Sequence, residues 1–172
     1  IRKAAYAQAL EHLLQKAEMD EKTGVFEKRA FCRKAAQMIR SHPDRSYVVL
    51  QWDIDRFKVF NDAFGVAAGD DYLAKVGSAC KQQAHTGALC GHWEADRFVA
   101  CMEKEQFETR DVKRSLDEMV ASLHDEFEFV TRLGVYEVDD PSIDVALMCD
   151  RAFLALRSTK GDYSTREAHY DE

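Results

Sequence analysis

Apolar residues recur at Tyr6, Leu10, Leu13 and Ala17, in steps of four, three and four, so residues 1–18 are expected to form a helix with a narrow apolar stripe. That helix reads as a linker from an upstream module, with the folded domain spanning residues 19–172. A second stripe, Phe31, Ala35 and Met38, predicts a helix that stops before Ser41-His42-Pro43. Residues 47–54, Tyr-Val-Val-Leu-Gln-Trp-Asp-Ile, are β-branched, aromatic and nearly all apolar, as in a strand buried on both faces. After a polar segment over 55–70, Leu73, Val76 and Cys80 mark another helix. Residues 88–93 and 98–102 read as a strand hairpin, and Val112, Leu116, Met119, Val120 and Leu123 as a core helix. Residues 127–136 read as a strand. Asp140-Pro141 reads as the start of a helix striped by Ile143, Ala146, Leu147, Phe153 and Leu154 and closed by Gly161. A last edge strand is expected over 163–170. Strands and helices alternating around one hairpin predict an α/β domain, a central mixed sheet of about five strands flanked by helices.

Composition narrows the function classes. The 172 residues suit one domain, with 46% hydrophobic and 32% charged residues and only 2 Pro and 8 Gly, which excludes disordered and low-complexity classes. Lys plus Arg number 24 against 31 Asp plus Glu, a net charge of −7, which argues against a nucleic-acid backbone binder. No apolar run is long enough to cross a membrane and residues 1–20 lack a signal-peptide core, so a cytoplasmic location without membrane contact is expected. Cys32, Cys80, Cys90, Cys101 and Cys149 have neither paired nor zinc-like spacing and read as reduced core residues. The chain opens on Ile1, without an initiator Met, and so reads as a piece of a longer polypeptide.

Chemistry concentrates where the buried strand ends. Asp53 and Asp55 lie two apart, so extended backbone points both carboxylates to one side. Such a pair can hold Mg²⁺, a hard cation that prefers oxygen ligands. For Asp53 the ion is the favoured reading, because a carboxylate ending an apolar strand is costly to desolvate without a partner. Asp55 is favoured instead as the N-cap of the turn beginning at Arg56. His92, beside Trp93 on a short strand, reads as packing or surface.

Residues 53–70, Asp-Ile-Asp-Arg-Phe-Lys-Val-Phe-Asn-Asp-Ala-Phe-Gly-Val-Ala-Ala-Gly-Asp, fit D-x-D-x-F-K-x-x-N-D-x-x-G-x-x-x-G-D at every fixed position. This pattern resembles the GGDEF domain of cyclic-di-GMP signalling. Asp20-Glu21-Lys22-Thr23-Gly24, with Arg29 and Phe31, is similar to that family's D-x-L-T-G-x-x-N-R-x-x-F, with Lys22 and Lys28 departing from it. Leu133-Gly134-Val135 and the segment Asp150-Arg151-Ala152-Phe153 with Arg157 match later family motifs, so the resemblance spans 17–170. It implies a palm-like fold of the nucleotide-cyclase and polymerase type. It also implies that Asn61 and Asp70 read the guanine edge of GTP, with Phe57, Lys58 and Arg157 as further nucleotide-binding positions. Asp53, the Ile54 carbonyl and Asp96 become the metal site. Turn and cap chemistry is the plainer alternative for Asn61 and Asp70.

The signature hairpin departs from the family. Where Gly-Gly-Asp/Glu-Glu-Phe is expected, the chain has Glu94-Ala95-Asp96-Arg97-Phe98. Two glycines that free the turn are gone, and Arg97 replaces the acid that active cyclases need. Asp96 and Arg97 thus hold the catalytic positions, with little or no cyclase activity expected; in a compensating reading Arg97 contacts a phosphate directly. The family's G-R-N is displaced to Lys160-Gly161-Asp162-Tyr163, and Lys160 either substitutes for its Arg or serves only the helix end. Residues 83–93 contain no Arg, so the family's inhibitory product site is not expected. The resemblance is to degenerate GGDEF domains that precede an EAL phosphodiesterase domain. It implies a GTP-binding regulatory module linked covalently to a sensor or an EAL domain. The alternatives are an active diguanylate cyclase working as a homodimer and a structural dimerisation module.

Overall fold

A computed structural model describes residues 1–172, the side chains of residues 84 and 85 excepted. The buried strand is where the sequence places it. β1 (Tyr47–Ile54) is buried at all eight positions because it runs through the middle of the sheet. β2 (Leu89–Glu94) and β3 (Arg97–Glu103) form the hairpin, β4 (Thr131–Glu137) lies on the other side of β1, and β5 (Glu167–His169) is the edge. The order is β2-β3-β1-β4-β5, with β1 antiparallel to β3 and β4 and β5 parallel to β4. The mixed five-stranded sheet flanked by helices is the expected palm-like architecture.

The strand period of two divides the core. Val48, Leu50, Trp52 and Ile54 face one layer, made by α3 (Phe57–Phe64), α4 (Val66–Gln82) and α6 (Val112–Ser122). Tyr47 and Val49 face the other, made by α2 (Lys28–Ser41) and α7 (Val145–Ser158), and Gln51 shares that parity and donates from Nε2 to the Cys149 carbonyl at 3.0 Å. α1 (Arg2–Glu18) buries none of its residues, and Tyr6, Leu10 and Leu13 of its stripe are exposed. A short α5 (Lys104–Thr109) follows β3.

Several boundaries move for identifiable reasons. β4 begins at Thr131 rather than residue 127, because Phe127 and Phe129 leave the ladder for an aromatic cluster; Phe129 stacks on Tyr72 at 4.1 Å and Phe127 meets Phe60 edge-on at 5.5 Å. Asp140-Pro141 does not open α7. The Asp140 carboxylate accepts from the Ser142 amide and hydroxyl in a turn of its own, and Asp144 caps the helix by accepting from the Ala146 amide. The buried face of α7 is therefore Val145, Met148, Cys149, Ala152, Ala155 and Leu156, while Leu147 and Leu154 of the expected stripe are exposed. β5 is shorter than the expected 163–170. The five cysteines are free thiols, with Cys80, Cys101 and Cys149 buried and Cys32 and Cys90 half-buried.

Candidate functional site

The residues singled out from sequence converge at one end of the sheet, where β1 ends and the β2–β3 turn closes. β1 delivers Asp53, whose residue is only 6% exposed. Directly across the ladder on β4 stands Arg132, the cross-strand partner of Asp53. Its Nε donates to Asp53 Oδ1 at 2.9 Å and its Nη2 to Oδ2, a bidentate clamp. Burial pushes the Asp53 carboxyl up, against the pull of Arg132.

Asp96 reaches the same place from the hairpin turn. Its Oδ2 accepts from the Ile54 amide at 3.2 Å. Burial, and then the like charge of Asp53, raise its pKa to about 6. Ala95, in the position of a family glycine, has φ 50°, a left-handed conformation that costs an L-residue about 1–2 kcal/mol. His92 steadies the turn, donating from Nε2 to the Ala95 carbonyl at 2.7 Å while Nδ1 lies 3.4 Å from Asp20.

Arg97 points to the α7 side of the sheet. Its Nη1 donates to Gln51 Oε1 at 3.1 Å, its Nη2 to Glu94, and its guanidinium lies 4.0 Å from the ring centroid of Phe153. Gln51 in turn holds the Cys149 carbonyl, so Arg97 ties the turn to α7. Arg157, exposed, flanks the same Phe153 ring at 5.9 Å.

Asp55 does not cap α3. Position 56 is the helix N-cap, in a left-handed conformation without a side-chain cap, and Asp55 Oδ2 instead lies 3.6 Å from Arg166 Nη2. Asp55, Arg132, Lys160, Tyr163 and Arg166 line a cleft of about 220 Å³. Arg132 and Arg166 were not legible as site residues, because only the strand registers bring them to the acids.

Asn61 and Asp70 lie inside helices α3 and α4, which rules out the plain cap reading. Asn61 Oδ1 is buried without a hydrogen-bond partner, and a Cβ at Gly69 would stand 1.8 Å from it, so glycine at 69 leaves the room that the Asn61 amide occupies in this orientation. Asp70 Oδ1 accepts from Lys22 Nζ at 2.9 Å, both groups half-exposed. Phe57 is buried in the aromatic core, stacked near Phe60 and Tyr72, and Lys58 is exposed.

The donor set expected for Mg²⁺ is the Asp53 carboxylate, the Ile54 carbonyl and the Asp96 carboxylate. Both Asp53 oxygens already accept from Arg132 and one Asp96 oxygen accepts from the Ile54 amide. Among the described residues, no three His, Cys, Asp or Glu side chains gather as a metal-binding group. As arranged, these residues do not fit a divalent cation.

The family described as "Diguanylate cyclase, GGDEF domain" matches residues 17–161. Two curated proteins of Escherichia coli strain K12 are similar. Diguanylate cyclase DgcP is 23% identical over 86% of this chain and 46% of its own length, and diguanylate cyclase DgcM is 30% identical over 58% of this chain and 25% of its own length. The chain therefore spans less than half the length of either. The crystal structure of the coiled coil and GGDEF domain of DgcB from Caulobacter crescentus, in complex with c-di-GMP, superposes with a TM-score of 0.79 at 19% identity, covering 98% of this chain and 93% of that one. No helix among the described residues is long and apolar enough to cross a membrane. By its match over residues 17–161, the chain belongs to the GGDEF domain family of diguanylate cyclases.

Proposed function

We propose that this chain is a catalytically impaired GGDEF domain of cyclic-di-GMP signalling, which binds GTP and passes that state to a neighbouring domain of the EAL type. The observation that carries the impairment is the placement of Arg97. At the position where an active cyclase has an acid, its guanidinium is held by Gln51, Glu94 and Phe153 and serves as a tie between the turn and α7. A fixed cation replaces a proton-accepting, metal-ligating group there, and losing such a group costs roughly 10²–10⁴-fold in rate. The guanine-reading pair, Asn61 and Asp70, supports retained nucleotide binding, with the unpartnered Asn61 Oδ1 available to a ligand N–H once the amide turns. α1, with no buried residue, fits a linker helix from an upstream sensor module and leaves its stripe free for a second copy, as in the coiled coil named for DgcB.

A calorimetric titration with GTP and with ATP, followed by chromatography of the same samples for cyclic-di-GMP, tests this. GTP is expected to bind in preference to ATP, without product, and Asp70→Ala to lose that binding. Cyclic product would establish an active cyclase, and no binding of either nucleotide would leave the domain a scaffold.

Lys22 stands where the family's opening motif has Leu, and its ammonium sits on the carboxylate that would meet guanine. Incoming base must displace it. An exposed pair of this kind is worth about 0.2–1 kcal/mol, so Lys22→Leu is expected to tighten GTP binding by a factor of about 1.4 to 5. Unchanged or weaker binding would show that Lys22 does not compete for Asp70.

A further inference from the structure

We propose that Arg132 takes the place of a divalent cation at the end of β1, so that Asp53 of this GGDEF domain is neutralised from within the chain and not by a metal ion. The pair is set by the sheet. Asp53 and Arg132 are opposite one another in the β1–β4 register, so the ladder that makes the core also delivers the guanidinium to the carboxylate. A guanidinium fork matches a carboxylate in two parallel hydrogen bonds and leaves neither oxygen open on that side. The Asp53 side chain is 9% exposed and that of Arg132 21%, so the pair is largely out of water. A metal that took Asp53 would strand a desolvated guanidinium, a more costly state than the pair itself. Mg²⁺ also demands near-octahedral oxygen ligation and sheds water reluctantly. Asp55 has its own cation in Arg166 at 3.6 Å, and Asp96 gives an oxygen to the Ile54 amide. Each carboxylate at this end of the sheet therefore has an in-chain donor.

The test uses Mn²⁺ and the protein alone, so it does not depend on whether GTP binds. Amide signals of Ile54 and Asp96 in the wild-type chain are expected to keep their intensity when paramagnetic Mn²⁺ is added. Arg132→Gln, which removes the cation and keeps a polar side chain, is expected to broaden those signals and to bind Mn²⁺ at least about tenfold more tightly by electron paramagnetic resonance. Selective broadening at Ile54 and Asp96 in the wild type overturns the proposal, as does a folded Arg132→Gln variant with no gain in Mn²⁺ affinity. Should Arg132→Gln fail to fold by circular dichroism, Arg132→Met, which removes the charge and keeps a stem of similar length, carries the same comparison. Absence of GTP binding in the earlier titration leaves this result standing, and Mn²⁺ binding by the wild type leaves the GTP reading standing.

Discussion

Gly134→Ala is expected to cost the domain at least about 3 kcal/mol, a large part of the roughly 5–15 kcal/mol that holds a domain of this kind folded. Gly134 sits in β4 on the side covered by α7. A Cβ built there would lie 2.0 Å from the Ala152 carbonyl oxygen and 2.5 Å from the Leu156 amide nitrogen. Both are backbone atoms of a helix, so no rotamer change relieves the clash and α7 must lift. Lifting it also strains the Gln51 bond to the Cys149 carbonyl and the Phe153 contact of Arg97, and so loosens the signature turn. Gly24→Ala is the matched control. Gly24 has φ +75° and nothing within 4 Å of a Cβ, so its cost is backbone strain alone, about 1–2 kcal/mol. Urea unfolding of both variants decides the matter: a Gly134→Ala midpoint no lower than that of Gly24→Ala would mean that α7 does not rest on β4 as described.

The same residue shows what could and could not be read from the chain. Gly134 was visible as part of a family motif, but its reason, a helix lying directly on the strand, needed the packing. β1 was legible in full, because a run of apolar and β-branched residues has few other uses. α3 was not, although Phe57, Phe60 and Phe64 fall at steps of three and four; the polar residues among them and Gly65 masked so short a stripe. α5 carries one apolar side chain, Phe107, which is too little for any period. α7 was found with the wrong start and the wrong face, since Asp140-Pro141 imitates a helix opening, and the buried face combines Met148 and Leu156 with small residues such as Cys149 and Ala152 that a stripe of large apolar positions does not pick out. The acids of the site followed from strand spacing and family pattern. Their partners did not. Which residue opposes Asp53 depends on the β1–β4 register, and Arg166 and Lys22 come from segments 111 and 48 positions away from the acids they meet in Asp55 and Asp70.

Those partners give the site a consistent electrostatic character. Arg132 on Asp53, Arg166 near Asp55, Lys22 on Asp70 and Arg97 on Glu94 pair four acids around the site with cations of the chain itself. A ligand that needs these carboxylates meets them already engaged. The exposed pairs yield cheaply and the buried Asp53 pair does not. On the proposed reading, base recognition and metal binding are therefore separable, the first weakened by an exposed pair and the second opposed by a buried one.

Asp96 is the exception, a carboxylate with an amide donor but no cation of its own, and it makes the second large effect. Its pKa is raised from 3.8 to about 6, chiefly by burial and then by the charge of Asp53. A carboxyl whose folded value lies above its unfolded one binds more protons in the folded state between those values, so stability falls as pH rises from about 3.8 to 6 and stays reduced above. The difference of 2.2 units corresponds to an upper bound of about 3 kcal/mol, and partial solvent access brings it to about 1–3 kcal/mol. Asp96→Asn removes the charge and keeps an oxygen that can accept from the Ile54 amide, so it is expected to stabilise the domain by that amount at pH 7.5. At pH 4 most of the gain should vanish, because Asp96 in the folded wild type is then already protonated. Denaturant unfolding of both proteins at the two pH values measures it. An equal gain at both would trace the stabilisation to the shape of the turn, and no gain at pH 7.5 would mean that Asp96 is ionised there without penalty.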